Sequence, residues 1–139
     1  MTRREKYPDT RTFRYFNANP HGKLTCDCTT RAISTAAEKP YNDVLVEMFS
    51  VQMETGYEYS SREAIAKYLQ QLGWVKHKQP RKDNGTKYTG KEFCRKLADP
   101  KVNYIANIGG NHIVAIIGGK VNDTWDSTDG CIGNYWTKG

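Results

Sequence analysis

The sequence contains no long hydrophobic run. Its longest uninterrupted apolar stretch, at residues 113–117, is far shorter than a membrane-spanning helix or the apolar region of a secretory signal. The first residues, MTRREK, are mostly charged. We therefore expect no export signal and no membrane partner, and we predict a cytoplasmic protein.

Cysteine is also scarce, with Cys26, Cys28, Cys94 and Cys131 as its four occurrences. Without an export signal, a framework of disulfides is not expected. Common zinc sites use pairs of ligands separated by about two to four residues. Cys26 and Cys28 are separated by a single residue, and His21 nearby does not supply a second pair. We therefore predict no metal and no cofactor.

Acidic residues are outnumbered by basic ones. The chain has 15 Asp and Glu against 21 Lys and Arg, which gives a net charge of +6. The excess base gathers near the N-terminus and at residues 76–96. Clustered base attracts nucleic-acid phosphates, but no RRM, zinc-finger or basic-zipper pattern accompanies it here. We expect a solvated basic surface that binds nucleic acid weakly and without specificity.

The helix signals lie in the first two thirds of the chain. A length of 139 residues fits one domain, residues 1–139, with one core. The clearest signal is SSRE at residues 60–63, which is a capping box. Three turns with an apolar face follow it, and Gly73 comes after the last turn. Apolar periodicity and caps together predict four helices, at residues 27–37, 43–54, 61–72 and 89–97.

The strand signals gather after Pro100. Residues there are β-branched and apolar, and Gly-Gly pairs separate the runs. The pattern predicts an antiparallel meander with a tight hairpin at Gly118-Gly119. The predicted strands lie at residues 102–108, 113–117, 121–125 and 134–136, with an earlier short strand at 13–16. Helices first and an antiparallel sheet second predict an α+β domain.

Two distant positions carry residues suited to thiol chemistry. Cys28 lies where a polar loop turns into a helix, and a helix N-terminus lowers the pKa of a thiol. His112 begins an apolar strand after Gly109-Gly110, so it is a candidate to take the thiol proton. Cys26 shares the loop, but Cys28 is nearer the helix. We predict Cys28 as nucleophile and His112 as general base.

The acid that would orient His112 lies on the returning strand. If Gly118-Gly119 form a two-residue turn, His112 faces Trp125, and Asp123 lies diagonally on the same face. A one-residue bulge would instead bring Asp126 opposite His112. We predict Asp126 as the orienting acid and Asp123 as the alternative.

Together, these segments resemble a short papain-like cysteine peptidase domain of the kind found in phages and bacteria. The resemblance is carried by NANP at residues 17–20, DCTTRAI at 27–33, HIVAI at 112–116 and DTWDS at 123–127. It implies a papain-like fold, in which N-terminal helices pack on a small C-terminal antiparallel sheet. It also implies a Cys28–His112–Asp126 triad.

Papain-like enzymes bind the oxyanion with a glutamine six residues before the cysteine. Gly22 stands there, so Asn17 or Asn19 is the expected donor, together with the Cys28 backbone N–H.

The function predicted from these residues is hydrolysis of an amide or isopeptide bond in a protein or peptide, through a thioester at Cys28. Deamidation or transamidation would use the same triad. If a phage encodes the chain, the compartment would be the host cytoplasm. The alternative is a non-catalytic binding protein that acts on a host component through its basic surface.

Overall fold

Helices and strands cover most of the chain, and the computed structural model describes all 139 residues. The elements in chain order are α1 (Arg3–Lys6), β1 (Phe13–Tyr15), α2 (Cys28–Ala37), α3 (Tyr41–Thr55), α4 (Arg62–Gln71), β2 (Trp74–His77), α5 (Gly90–Glu92) with a π-helical turn (Phe93–Leu97), β3 (Tyr104–Ile108), β4 (His112–Ile117), β5 (Lys120–Asp123) and β6 (Ile132–Lys138). Because helices pack on a sheet whose strands are mostly antiparallel, the chain is an α+β protein, as predicted.

Capping residues set where the helices begin. The Ser61 hydroxyl accepts a hydrogen bond from the Ala64 N–H at the start of α4. Thr89 and Glu92 form a reciprocal capping box at the start of α5, where the fourth helix was predicted to begin. Helix α3 begins at Tyr41, earlier than predicted, because Pro40 takes the N-cap position and supplies a φ suited to helix entry.

The sheet has six strands in the order β1-β5-β4-β3-β6-β2. Strands β3, β4 and β5 form the predicted antiparallel meander. The prediction of a purely antiparallel, C-terminal sheet is wrong, because β1 runs parallel to β5 at one edge and β2 pairs with β6 at the other. Both edge strands come from before residue 100. Their pairing supplies backbone hydrogen bonds that the meander alone would leave open.

Apolar residues cover both faces of this sheet. On β4, Ala115 belongs to the cluster formed with helices α2, α3 and α4. Its neighbours Val114 and Ile116 point to the opposite face and join a second cluster that contains Phe13 and Phe93. Burial on both faces explains why residues 113–117 are apolar without alternation. It also fixes α2 against β4, which places the first turn of α2 near the start of that strand.

None of the helices combines the length and the apolar character needed to cross a lipid bilayer. The longest, α3, has 15 residues and exposes Val46, Phe49 and Met53 beside charged neighbours. It packs on the protein through Val44, Met48 and Val51. The alternation of buried and exposed positions is that of an amphipathic surface helix.

Candidate active site

Cys28 is the first residue of α2, and its side chain is half-buried. The first N–H groups of a helix have no partners within the helix. Asp27 occupies the N-cap position but makes no side-chain hydrogen bond to them. The thiol therefore lies at an uncapped helix N-terminus, where backbone N–H groups and the helix dipole favour negative charge.

His112 is the first residue of β4, and it is paired with Asp123. The His112 Nε2 atom lies 2.5 Å from the Asp123 Oδ2 atom, and the Asp123 side chain is only 2% exposed. Strands β4 and β5 pair with Ala115 opposite Asn122, so no bulge interrupts the hairpin. In that register Asp123 lies diagonally from His112 on the same face. The Trp125 ring covers the imidazole, with ring centroids 5.0 Å apart.

The Cys28 thiol meets His112 at the junction of α2 and β4. Because Nε2 is engaged by Asp123, Nδ1 is the ring nitrogen left to face the sulfur. Burial raises the pKa of the Cys28 thiol, but hydrogen bonds from the His112 side chain and the Ile113 backbone N–H outweigh it. The net effect holds the pKa of Cys28 below its ordinary value.

The pKa of His112 moves in the opposite direction. Burial lowers it, but the hydrogen bonds to Asp123 and Cys28 favour the imidazolium and raise the pKa to about 9. Burial raises the pKa of the Asp123 carboxyl, but hydrogen bonds from His112 and Arg31 outweigh burial. The pKa of Asp123 is therefore below its ordinary value. These three pKa shifts each favour the charged form of the group. Cys28 is then a thiolate, His112 an imidazolium and Asp123 a carboxylate, side by side.

Arg31 holds the carboxylate of Asp123 from the side opposite His112. Its Nη1 atom lies 2.6 Å from Asp123 Oδ1, and its Nε atom lies 2.8 Å from Asp27 Oδ1. Tyr41 Oη donates to the other oxygen of Asp27 at 2.7 Å. Arg31 therefore links the helix that carries the thiol to the strand that carries the acid. No sequence motif identified Arg31 as part of the site. It follows Cys28 by three residues and Asp27 by four, and this spacing places the three side chains near one face of the helix.

The structure does not bring Asp126, the predicted orienting acid, to His112. The Oδ1 atom of Asp126 accepts hydrogen bonds from the backbone N–H of Thr128 at 3.0 Å and from the Thr128 hydroxyl at 2.5 Å. Asp126 thus caps the turn that follows β5. The physical reason is the regular hairpin, which leaves no bulge to bring Asp126 opposite His112. Asp123, the alternative, takes that position.

The predicted oxyanion donors Asn17 and Asn19 hold the loop before α2 together. Asn17 Nδ2 donates to the Lys23 carbonyl at 3.1 Å, and Asn19 Nδ2 donates to Asp27 Oδ2 at 3.1 Å. One N–H of each amide is therefore engaged within the loop. The uncapped N–H groups at the start of α2 are the donors that the structure offers in their place.

The other thiols lie in different surroundings. Cys26 and Cys131 are exposed, whereas Cys94 is buried and burial raises its pKa to about 11. No group of three or more His, Cys, Asp or Glu side chains is placed to hold a metal ion. Cys28 is thus the one thiol that combines a histidine partner with a helix N-terminus.

We expect loss of the Arg31 side chain to destabilise the fold strongly. Arg31→Met removes the cation that the buried Asp123 shares with the partly buried Asp27, and breaking a buried pair in this way costs about 3–5 kcal/mol. The free energy of unfolding in urea, followed by circular dichroism, measures the effect. Lys91→Met is the control, because the Lys91–Asp129 pair has a similar length of 2.8 Å but is exposed, and we expect little change there. Equal stability of the two variants would contradict the role given to Arg31.

The chain matches no protein-family model, no curated protein and no solved structure. What can be said of its chemistry therefore comes from the geometry. A thiol with a lowered pKa, a histidine held by a buried carboxylate and a set of unpaired N–H groups are the parts needed for nucleophilic attack on a carbonyl carbon.

Proposed function

We propose that this chain is a cysteine-dependent hydrolase of papain-like type that cleaves an amide or isopeptide bond in a protein or peptide. The observation that supports the proposal best is that the Cys28 thiol, at the N-terminus of α2, lies beside His112, which Asp123 holds at 2.5 Å. Nucleophile, base and orienting acid occur there in the mutual contacts that acyl transfer through a thiol requires.

In the proposed reaction, the Cys28 thiolate attacks the carbonyl carbon of the scissile bond and forms the carbon–sulfur bond. The carbonyl oxygen becomes an oxyanion, which the N–H groups of the first turn of α2 are placed to stabilise. His112 then gives its proton to the leaving nitrogen, and the carbon–nitrogen bond breaks. An amine leaves and a thioester remains on Cys28.

Water completes the cycle. His112, now neutral, takes a proton from the water that attacks the thioester carbonyl, and the carbon–sulfur bond breaks. A carboxylic acid leaves and the Cys28 thiolate is restored beside the imidazolium. Asp123 keeps its charge throughout and holds the ring with Nε2 toward itself. With an amine in place of water, the same steps would give transamidation. With a side-chain amide as substrate they would give deamidation.

The second candidate is a binding protein without catalysis that acts through its basic surface. Several basic residues at positions 76–96 form salt bridges within the chain: Lys82 and Lys96 with Glu92, and Lys91 with Asp129. Others, Lys76 and Lys87 among them, form none. This partial neutralisation is the reason to expect weak binding of nucleic acid, and affinity should fall as salt rises.

The experiment that tests the proposal is alkylation of the four thiols as a function of pH. With limiting iodoacetamide, we expect Cys28 to react fastest near neutral pH, with its half-maximal rate at a lower pH than that of an ordinary thiol. Cys94, with a pKa of about 11, should stay unmodified. Peptide mass spectrometry gives the modified fraction at each cysteine.

Cys26→Ala and Cys28→Ala are the matched variants for this measurement. The fast phase should persist in Cys26→Ala and disappear in Cys28→Ala. Similar rates at Cys26, Cys28 and Cys131, or loss of the fast phase only in Cys26→Ala, would argue against a nucleophilic Cys28.

A further inference from the structure

An open groove lies between α4 and the strands β3, β6 and β2. Its volume is about 620 Å³, which is within the range of pockets that bind ligands. Its floor is apolar and consists of Ile65, Ala66, Ile105, Ile113 and Trp136. Two glycines, Gly109 and Gly110, form the end of the groove that lies next to the start of β4.

Ile113 joins this groove to the candidate active site. Its backbone N–H lies near the Cys28 thiol, and the same residue lines the groove. His112 precedes it directly, and Gly110 lies two residues before His112. A polypeptide lying in the groove would therefore pass the end of β4 that carries His112.

The charges along the groove all have one sign. Arg62, Lys76 and Lys87 line it, and no Asp or Glu does. None of the three forms a salt bridge. Arg62 makes only long contacts with the Gly110 carbonyl at 3.3 Å and the Asn111 side chain at 3.4 Å. Three cations without carboxylate partners around an apolar floor are complementary to a ligand with both carboxylates and apolar side chains.

The groove suits a peptide better than a single-stranded nucleic acid. Nucleic-acid grooves of this kind rely on aromatic faces on which bases stack. Trp136 is the one aromatic residue of the lining, and it is only 8% exposed. The Lys76 ammonium lies 6.0 Å from its ring centroid, which covers it further. An extended peptide needs no such stacking, because it places apolar side chains on the floor and carboxylates beside the cations.

On the basis of the proposed function, we propose that the groove binds an acidic segment of the protein or peptide substrate, next to the bond that Cys28 attacks. The substrate class is then a polypeptide in which carboxylates flank apolar residues close to the scissile bond. Arg62, Lys76 and Lys87 determine this specificity, and Ile113 sets the distance from the groove to the thiol.

Cys131 provides a direct readout of binding. It is exposed and lines the groove, whereas Cys26 is exposed and lies outside it. The probe is an acetylated octapeptide of alternating glutamate and leucine, and its matched control has glutamine in place of glutamate. Both are added to Cys28→Ala protein, so that the peptide is not consumed. At a free concentration of about four times Kd, the glutamate peptide should slow alkylation of Cys131 about fivefold, while Cys26 is unaffected.

Matched charge variants separate the groove from general electrostatics. Protection of Cys131 should disappear in a triple variant that combines Arg62→Gln, Lys76→Gln and Lys87→Gln. The control is a second triple variant, which combines Lys6→Gln, Lys67→Gln and Lys101→Gln. It removes the same charge from exposed positions outside the groove lining and should keep most of the protection. Protection should also weaken as salt rises from about 0.05 M to about 0.5 M.

Each other outcome overturns the inference in a recognisable way. Equal protection by the glutamine peptide removes the acidic specificity. Stronger protection by an oligothymidylate of eight nucleotides makes the groove a nucleic-acid site. If Cys28 of the wild-type protein is reactive but Cys131 is never protected, the groove inference fails and the hydrolase proposal stands. If Cys131 is protected but Cys28 is unreactive, the proposed hydrolase fails, and with it the assignment of the bound peptide as a substrate.

Discussion

Cys28→Ala and His112→Ala are each expected to reduce turnover of p-nitrophenyl acetate to the rate of a protein without an active site, a loss on the order of 10³-fold or more. An activated ester is a suitable probe because it reports acyl transfer without knowledge of the natural substrate. Cys28 is the only thiol beside a histidine, and in the proposed mechanism His112 stabilises the thiolate and then acts as the base in deacylation. The double variant should be no slower than either single variant, because the two residues act as one unit.

The pH profile adds a second criterion for the same two residues. In the wild type, acylation by the ester should speed up through the lowered pKa of Cys28, as the thiolate forms. With an amide substrate, whose leaving nitrogen must take a proton, the rate should also fall above pH 9, as His112 loses its proton. Cys94→Ala serves as the control, since that thiol is buried with a raised pKa and should not contribute. Residual activity in Cys28→Ala with the wild-type pH profile would locate the chemistry elsewhere.

Asp123→Asn is expected to lower the ester turnover by about 10² to 10⁴, while Asp126→Ala changes it less than about threefold. The introduced amide would still accept hydrogen bonds from Arg31 and the Thr124 N–H with its oxygen. The amide nitrogen would then face His112 Nε2. Both atoms carry protons and both are donors, so no hydrogen bond would form between them. The imidazole would lose its orientation and the charge that stabilises its protonated form.

Stability measurements keep this comparison interpretable. Asp123→Ala leaves Arg31 and its charge buried beside His112, and we expect it to cost about 3–5 kcal/mol of folding free energy. Asp123→Asn should cost less, because the hydrogen bonds to Arg31 and Thr124 survive. Urea unfolding of each variant shows whether the protein assayed is folded. A larger loss of activity in Asp126→Ala than in Asp123→Asn, with both folded, would restore Asp126 as the orienting acid.

The local elements of this fold could be predicted because their signals are local. The cap at Thr89 and the Gly118-Gly119 hairpin each depend on residues within a few positions of one another. The capping box predicted at residues 60–63 does not form, because Ser61 rather than Ser60 caps α4. The parallel pairing of β1 with β5 could not be predicted, since it joins residues 13–15 to 121–123 and no short-range pattern records it. The same holds for the position of β2 at the opposite edge.

The candidate site was predictable to a similar extent. Cys28 and His112 stood out from the helix start and the strand start, and the regular hairpin register by itself put Asp123 on the face of His112. Asp126 was placed opposite His112 on the assumption of a bulge, and the hairpin does not contain one. Arg31 could be recognised only once α2 was packed against β4, because its contact with Asp123 spans 92 positions of the chain.

The most direct test of the proposed mechanism is the site of acylation in wild-type protein quenched with acid during turnover of p-nitrophenyl acetate. The mechanism predicts an acetyl thioester on Cys28 that appears during turnover, decays when the ester is exhausted, and accumulates in Asp123→Asn as His112-assisted deacylation slows. Peptide mass spectrometry locates the acetyl group. An acetyl group on Cys26 or Cys131 at equal occupancy, or turnover with no acetyl group on Cys28, would contradict it.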